Sequence, residues 1–346
     1  MTSAEISQFV DNYVRKNLSP KSEQRDYITK KYAELCGFLG SGCFQIGSYA
    51  RFTAIDPVHD LDVIYVLPDT FVISHPEKAM EQLRQKLIDA YKNSKNSKVK
   101  EIIAQTHSVT IVFDDDDMPE PFSIDVVPAV AADDEINEFG DPIYLVPEIL
   151  KASHQKRLER YENAARNPIG WIKSDPRGYI SAARLLDTAT NGTFRKTVKV
   201  VKSWRHKEKV AHEDAFMLKS FHFELICVEF FTSNPRANTL EAITGTIALL
   251  ADRLDAPHYP DRADNTQFID QYIEDKMTDE ARQLILGLQK EAAGLIAKLS
   301  EANSVTEVAT LLDKLTSIED TSWTPAPVYT QPQRVAVPAP SQPWGY

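Results

Sequence analysis

Two aspartates spaced two residues apart constrain this chain more than any other feature. The segment 60–67 reads DLDVIYVL, and its alternation predicts a β-strand. On a strand, Asp60 and Asp62 project from one face and Ile64 and Val66 continue it, while Leu61, Val63, Tyr65 and Leu67 line the other. Two carboxylates held that close repel, and keeping both is costly unless a cation sits between them. Hard oxygen ligands of this kind suit Mg2+, which takes one or two carboxylates together with substrate phosphates.

Alone, a D-x-D is mostly a strand end. Two further features raise its meaning. Gly47-Ser48 lies twelve residues upstream, straight after a predicted strand at 43–46 (CFQI), where bare backbone N–H groups and a hydroxyl suit a phosphate. Asp125 sits in the predicted strand FSIDVV (122–127), with Phe122, Ile124 and Val126 on the opposite face. An aspartate in so apolar a strand is expensive to bury unpaired. Either backbone donors satisfy it, or it shares a metal with Asp60 and Asp62.

Together, G-S, twelve residues, D-x-D and a later strand aspartate resemble the polymerase-β-like nucleotidyltransferase superfamily, over 45–67 and 121–130. The resemblance implies that Asp60, Asp62 and Asp125 are catalytic metal ligands and that Gly47 and Ser48 bind nucleotide. Two Mg2+ ions would serve such a site, one lowering the pKa of an attacking hydroxyl and one stabilising the leaving pyrophosphate. Further along, RKTVKVVKSWRHKEK (195–209) holds seven Lys or Arg against one acidic residue. Lys199 and Lys202 share a helical face, and Val198, Val201 and Trp204 suit packing; the plain alternative is a solvated basic face. Ser220 and Phe221 open the apolar segment LKSFHFELICVEF (218–230). V-K-x-W followed by S-aromatic-x-x-E resembles the helical lobe of oligoadenylate synthetases and cyclic GMP-AMP synthase, and IDVVPAV is similar to their third-aspartate motif. GSYARFTAI and DLDVIYVL look most like the bacterial cGAS/DncV-like nucleotidyltransferase (CD-NTase) family of antiphage signalling, a likeness running over roughly 40–300. It implies that Lys202 and Ser220 hold the triphosphate of a donor nucleotide and that Phe221 stacks its base, which is tolerant of base identity. The alternative for Phe221 is a core residue. One departure stands out: the family commonly has Gly before the Thr of this loop, and here Phe52 precedes Thr53.

The expected fold is mixed α/β, a polymerase-β-like nucleotidyltransferase core with a helical, oligoadenylate-synthetase-like second lobe. The expected division is 1–170 for the core with its N-terminal helices, 171–320 for the nucleotide-binding lobe and 321–346 for a proline-rich tail. Helices are predicted at 3–16, 21–38 and 77–93, strands at 107–113 and 122–127 joined by DDDDMPEP, and helices at 177–190, 194–209, 215–231, 239–253, 278–300 and 304–315. The tail has six prolines in 26 residues and a single charge, Arg334, so it reads as extended or disordered. It ends in Trp344 and Tyr346, which would supply large apolar anchors, and the family resemblance implies a regulatory or conjugating protein there; the plain alternative is a terminus with no partner.

Net charge is −11, from 39 Lys plus Arg against 50 Asp plus Glu. A wrapper of long polyanions is normally basic, so extended nucleic acid is an unexpected partner. Three cysteines (Cys36, Cys43 and Cys227) cannot all pair and read as buried free thiols of a reducing compartment. The first twenty residues lack an apolar run and nothing approaches a membrane span, so a cytoplasmic protein is expected. His258 reads as a plain loop histidine. The function implied is template-independent joining of NTPs into a cyclic oligonucleotide. The alternatives are a tRNA nucleotidyltransferase of the CCA-adding kind, which GSYAR also resembles, and a non-catalytic nucleotide-binding or antitoxin module.

Overall fold

A computed structural model describes residues 1–68, 75–92, 94, 97–114 and 121–317. The 321–346 tail and most of the acidic DDDDMPEP connection lie outside those residues. The first part of the chain runs α1 (Ser3–Tyr13), α2 (Ser22–Leu39), β1 (Cys43–Ile46), the single turn α3 (Gly47–Ala50), β2 (Asp60–Val66), α4 (Pro76–Lys92), β3 (Val99–Ala104), β4 (Val109–Phe113), β5 (Phe122–Ile136), β6 (Pro142–Ile149), α5 (Gln155–Asn163) and β7 (Ile169–Ser174). Helices α6 (Pro176–Ala189), α7 (Thr193–His212), α8 (Ser220–Ser233), α9 (Thr239–Leu250), α10 (Tyr272–Lys276), α11 (Asp279–Glu301) and α12 (Val305–Thr316) follow.

The described strands form one mixed sheet in the order β1-β2-β5-β4-β3, extended from β5 through β6 and β7. Only β2 and β5 pair in parallel; β1, β3, β4, β6 and β7 join antiparallel. Alternation then decides the two faces. Leu61, Val63, Val109, Ile111, Ile124 and Val126 point to one side, where Ile28, Leu35 and Leu39 of α2 and Leu83 and Leu87 of α4 cover them. The aspartates occupy the other side.

Three strands escape the sequence pattern for physical reasons. VKEIIA of β3 is largely exposed. PIYLVPEI of β6 contains Pro142 and Pro147, which argue against a strand with neighbours on both sides. The six residues of β7 include Gly170.

The second core is helical and centres on α7. Phe194, Val198, Val201 and Trp204 recur at helical spacing, and all are buried. Trp204 meets Phe223 and Phe216 edge-on, with ring centroids 5.6 and 6.0 Å apart. Caps fix several helix starts: Asp175 accepts from the N–H of Gly178 ahead of Pro176, and Asn238 forms a capping box with Glu241. Helix α1 belongs to this helical core as well, although it comes first in sequence. Ile6 and Val10 are buried there, and the Tyr13 hydroxyl donates to Asp313 Oδ1 at 2.6 Å.

No described helix is long and apolar enough to cross a membrane. The cysteines differ from expectation: Cys227 is buried, but Cys36 and Cys43 are only partly so. The hydrogen bond from the Cys43 thiol, against the effect of burial, brings Cys36 down to about 7. Because Trp204 anchors the helical core against the rings of Phe216 and Phe223, Trp204→Ala should lower stability by about 3–5 kcal/mol in urea unfolding, with Trp204→Phe costing clearly less.

Candidate active site

The parallel pairing of β2 with β5 places Asp62 directly opposite Asp125. Both are half-buried, and Asp60 at the strand mouth is exposed. Thr110, the residue of β4 facing Asp125 from the other edge, donates its hydroxyl to Asp125 Oδ1 at 2.5 Å. Burial, then the charges of Asp60 and Asp125, push the Asp62 carboxyl up to about 6. Burial raises Asp125 as well, against the Thr110 hydrogen bond, and Asp60 adds to the rise. Against Asp62 sits Gly47, with φ +69°, where a Cβ would stand 1.8 Å from Asp62 Oδ2. Conformation and space therefore both demand glycine there.

Among the described residues no three Asp, Glu, His or Cys side chains close into a finished metal cage. Three like-charged groups on one sheet face are expected to stand apart. The donor set itself is all-carboxylate, and burial, with the charges of Asp60 and Asp125 added to it, keeps a proton on Asp62 up to about pH 6. That chemistry fits a hard divalent cation, whose charge would offset the repulsion. Asp60, Asp62 and Asp125 are the residues that fit it.

The 47–53 loop is fastened from the helical side. Arg51 Nε donates to Glu224 Oε1 at 2.5 Å, and its Nη2 donates to Oε2 at 3.3 Å. Thr53 Oγ1 donates to the same Oε2 at 2.9 Å, and Lys202 Nζ donates to the Thr53 carbonyl at 3.0 Å. Lys202 is thus buried against the loop, and desolvation lowers its pKa even with Glu224 nearby. The Ser48 carbonyl closes the turn by accepting from the N–H groups of Thr53 and Ala54, at 2.9 and 3.1 Å. Phe52 takes φ +61° and is 66% exposed. The departure noted in the sequence therefore falls on a backbone position that glycine would hold without strain. The guanidinium of Arg195 covers the Phe52 ring at 4.9 Å.

Ser220 is the first residue of α8. Phe221 beside it meets Tyr179 edge-on at 5.2 Å and carries the Arg51 guanidinium over its face at 4.5 Å. So Gly47, Ser48, Asp60, Asp62, Asp125, Lys202, Ser220 and Phe221 are gathered around one loop and one sheet face. Sequence reasoning passed over Arg51 and Thr110. Arg51 stands in GSYAR, but its partner Glu224 is 173 positions away. Thr110 is the polar member of an alternating strand, a signal present but weak. His258 is a loop residue as expected, its ring Nδ1 2.6 Å from the Ala256 carbonyl oxygen.

A group whose pKa is raised on folding stabilises the fold only below its unfolded value and loses that contribution as pH rises through the folded one. Asp62→Asn should therefore raise stability by about 1–3 kcal/mol in chelator at pH 7.5. Thermal unfolding at pH 4.5, where the wild-type carboxyl keeps its proton in the folded state, should show most of that gain gone. An equal gain at both pH values would contradict the crowded-carboxylate picture.

Residues 8–145 match the family described as Second Messenger Oligonucleotide or Dinucleotide Synthetase domain. No curated protein matches the chain. Several solved structures share its fold. CdnC of E. coli MS115-1, solved with ATP, is 16% identical, covers 90% of this chain and 97% of its own, and superposes with a TM-score of 0.62. The Vibrio cholerae DncV cyclic AMP-GMP synthase, solved with the linear intermediate 5' pppA(3',5')pG, is 13% identical over 90% and 96%, with a TM-score of 0.58. The Elizabethkingia meningoseptica CdnE cyclic dinucleotide synthase, solved with GTP and Apcpp, is 12% identical over 85% and 98%, with a TM-score of 0.53. At such identities these structures establish the polymerase-β-like fold alone, and the family match is confined to residues 8–145, which hold Gly47, Ser48 and all three aspartates. Residues 8–145 thus match a second-messenger oligonucleotide or dinucleotide synthetase domain, and the chain as a whole shares the fold of the nucleotidyltransferases CdnC, DncV and CdnE.

Proposed function

We propose that this enzyme joins nucleoside triphosphates, ATP among them, into a cyclic di- or trinucleotide second messenger of antiphage defence, without a template. The observation that carries the reading is the opposition of Asp62 and Asp125 across parallel strands, with the Gly47 turn pressed against Asp62. Asp60, Asp62 and Asp125 would hold two Mg2+ ions. When bound, those ions supply the charge that lowers the pKa of the attacking hydroxyl and stabilises pyrophosphate.

The chain's own groups do the rest. Gly47 and Ser48 offer N–H and hydroxyl donors to the donor triphosphate, joined by Lys202 and Ser220 from the helical side. Phe221 has Arg51 on one face, so a base stacks on the other. The acceptor hydroxyl oxygen bonds to the donor α-phosphorus, the bond from that phosphorus to the bridging oxygen breaks, and pyrophosphate leaves with the electron pair. Thr110 occupies Asp125 Oδ1, so the hydroxyl proton passes to Oδ2, on a carboxyl that burial makes more basic. Repetition on the linear product closes the ring.

A regulatory or conjugating protein that grips residues 321–346 belongs to the same reading. Its support is the proline-rich composition of that segment, together with the E. coli CdnC solved in complex with a HORMA protein.

Incubation with four labelled NTPs and Mg2+, then phosphatase and mass analysis, should yield a phosphatase-resistant small oligonucleotide. The Asp60→Asn, Asp62→Asn double variant should fold and make none; product from it in Mg2+ would remove the metal assignment. Deleting 321–346 should leave synthesis by the purified protein within about threefold, since terminal segments of such composition rarely support a catalytic core.

A further inference from the structure

Helix α2 ends where the chain reverses. Gly40, at φ +84°, caps it by donating its N–H to the Cys36 carbonyl at 2.8 Å, and Gly42, at φ +106°, delivers the chain into β1. Backbone of that left-handed kind is cheap only for glycine. The reversal lays the last turn of α2 alongside Cys43, the first residue of β1. Tyr32 and Cys36 are one helical turn apart, so they share the face that meets Cys43. The Tyr32 hydroxyl donates to the Cys43 carbonyl at 3.3 Å, and the Cys43 thiol donates to the Cys36 sulfur. Two thiols seven positions apart are thus in direct contact across a glycine-flanked turn.

The two sulfurs are not equivalent. The hydrogen bond from Cys43, against burial and with a smaller contribution from the Tyr32 hydroxyl, brings Cys36 down to about 7. The same bond, then burial, holds the Cys43 thiol well above the usual range. At neutral pH about half of Cys36 is therefore thiolate, the nucleophilic form, beside a thiol that keeps its proton. Lys86 stands over the same junction, its Nζ donating to the Leu39 carbonyl at 3.3 Å and to the Tyr65 hydroxyl at 3.0 Å. Tyr65 is the β2 partner of Cys43. Cys36 and Cys43 both keep part of their surface open, whereas Cys227 is enclosed in the helical core and burial raises its thiol.

We infer that Cys36 and Cys43 form a reversible dithiol–disulfide couple that takes hydrogen peroxide as its oxidant, with Cys36 attacking and Cys43 resolving. The Cys36 sulfur bonds to one peroxide oxygen, the O–O bond breaks, and hydroxide leaves with the electron pair and takes up a proton as water. The Cys43 sulfur then bonds to the sulfur of the Cys36 sulfenic acid. The S–O bond breaks, and the hydroxyl leaves as water with the Cys43 proton. Two thiols have lost two electrons, and the peroxide has become two waters. A dithiol reductant reverses the change by exchange and ends as its own disulfide. The bond ties α2 to β1, and Ile46, at the far end of that strand, leads directly into the Gly47 turn. Oxidation therefore fixes the strand from which the turn against Asp62 is hung.

A small excess of hydrogen peroxide on the full chain tests the couple. Trypsin releases both cysteines in one peptide, 32–51. In oxidised wild type that peptide should be two hydrogens lighter, and a chymotryptic cut after Phe38 should part it only once dithiothreitol is added. Cys227 should remain alkylatable on unfolding. Cys43→Ser should accumulate a dimedone-reactive sulfenic acid at Cys36, whereas Cys43 in Cys36→Ser should react roughly tenfold more slowly. Thiol loss in wild type should quicken with pH around a midpoint of about 7. The oxidised protein should also melt higher, since closing residues 36–43 removes conformations from the unfolded chain. Three alkylatable thiols after peroxide, a sulfinic acid at Cys36 with Cys43 free, or a disulfide between two chains would each overturn the couple. Sulfenic acid forming as fast at Cys43 in Cys36→Ser would overturn the assignment of the attacking thiol. A lower melting point on oxidation would show that the native contact must be broken to make the bond, and would overturn the inference too.

Discussion

Glu224 is buried to 2% exposure in the helical core, and much of the molecule's order hangs on how its charge is met. Burial alone would raise its carboxyl, but the charges of Arg51 and Lys202 and the hydrogen bonds from Arg51 and Thr53 hold it below the ordinary value. A buried carboxylate left unpaired costs several kcal/mol, so none of these groups is independent of the others. Arg51 and Thr53 lie on the loop behind the Gly47 turn, whereas Glu224 and Lys202 lie on α8 and α7. The same contacts that neutralise Glu224 therefore set where the Gly47 turn stands relative to the helices. Arg51 extends the arrangement to Phe221, and Arg195 extends it to the Arg51 carbonyl at 2.9 Å.

The sheet contributes the opposite kind of tension. Its register forces Asp62 and Asp125 side by side, and Asp60 adds a third charge at the strand mouth. The hydrophobic side of β2 and β5 tolerates no slip, since one residue of shift would turn Leu61, Val63, Ile124 and Val126 away from α2 and α4. Apolar packing on one face thus maintains electrostatic repulsion on the other. The scaffold thus keeps all three carboxylates on one face even though their charges push the side chains apart.

Much of this was legible in the sequence because the relevant signals are local. The alternation of DLDVIYVL, the glycine before Ser48 and the lone aspartate in FSIDVV each report on their own strand or turn. So do the stripes of α7 and α8, including Trp204. What stayed hidden depends on partners distant in the chain. Arg51 is an ordinary surface letter until Glu224 is known to face it. Strand β6 hides behind two prolines, which it accommodates because β5 and β7 pair with it only over part of its length. Position 52 shows the converse: an unusual residue was visible, and the structure explains it as a strained backbone in which Phe52 stands where glycine would be relaxed.

The docking of α1 has a consequence for how the chain is made. Its apolar stripe, Ile6, Val10 and Val14, finds its neighbours on α7, α9 and α12, and Tyr13 reaches Asp313, 300 residues downstream. At synthesis rates of about 5–20 residues per second, that stripe would wait about 15–60 s for its last partner to emerge from the ribosome. For that interval it is a greasy amphipathic helix with no home, close to a sheet whose edges are still open. Helix α1 thus precedes its partners in synthesis and is among the last of the described helices to be buried.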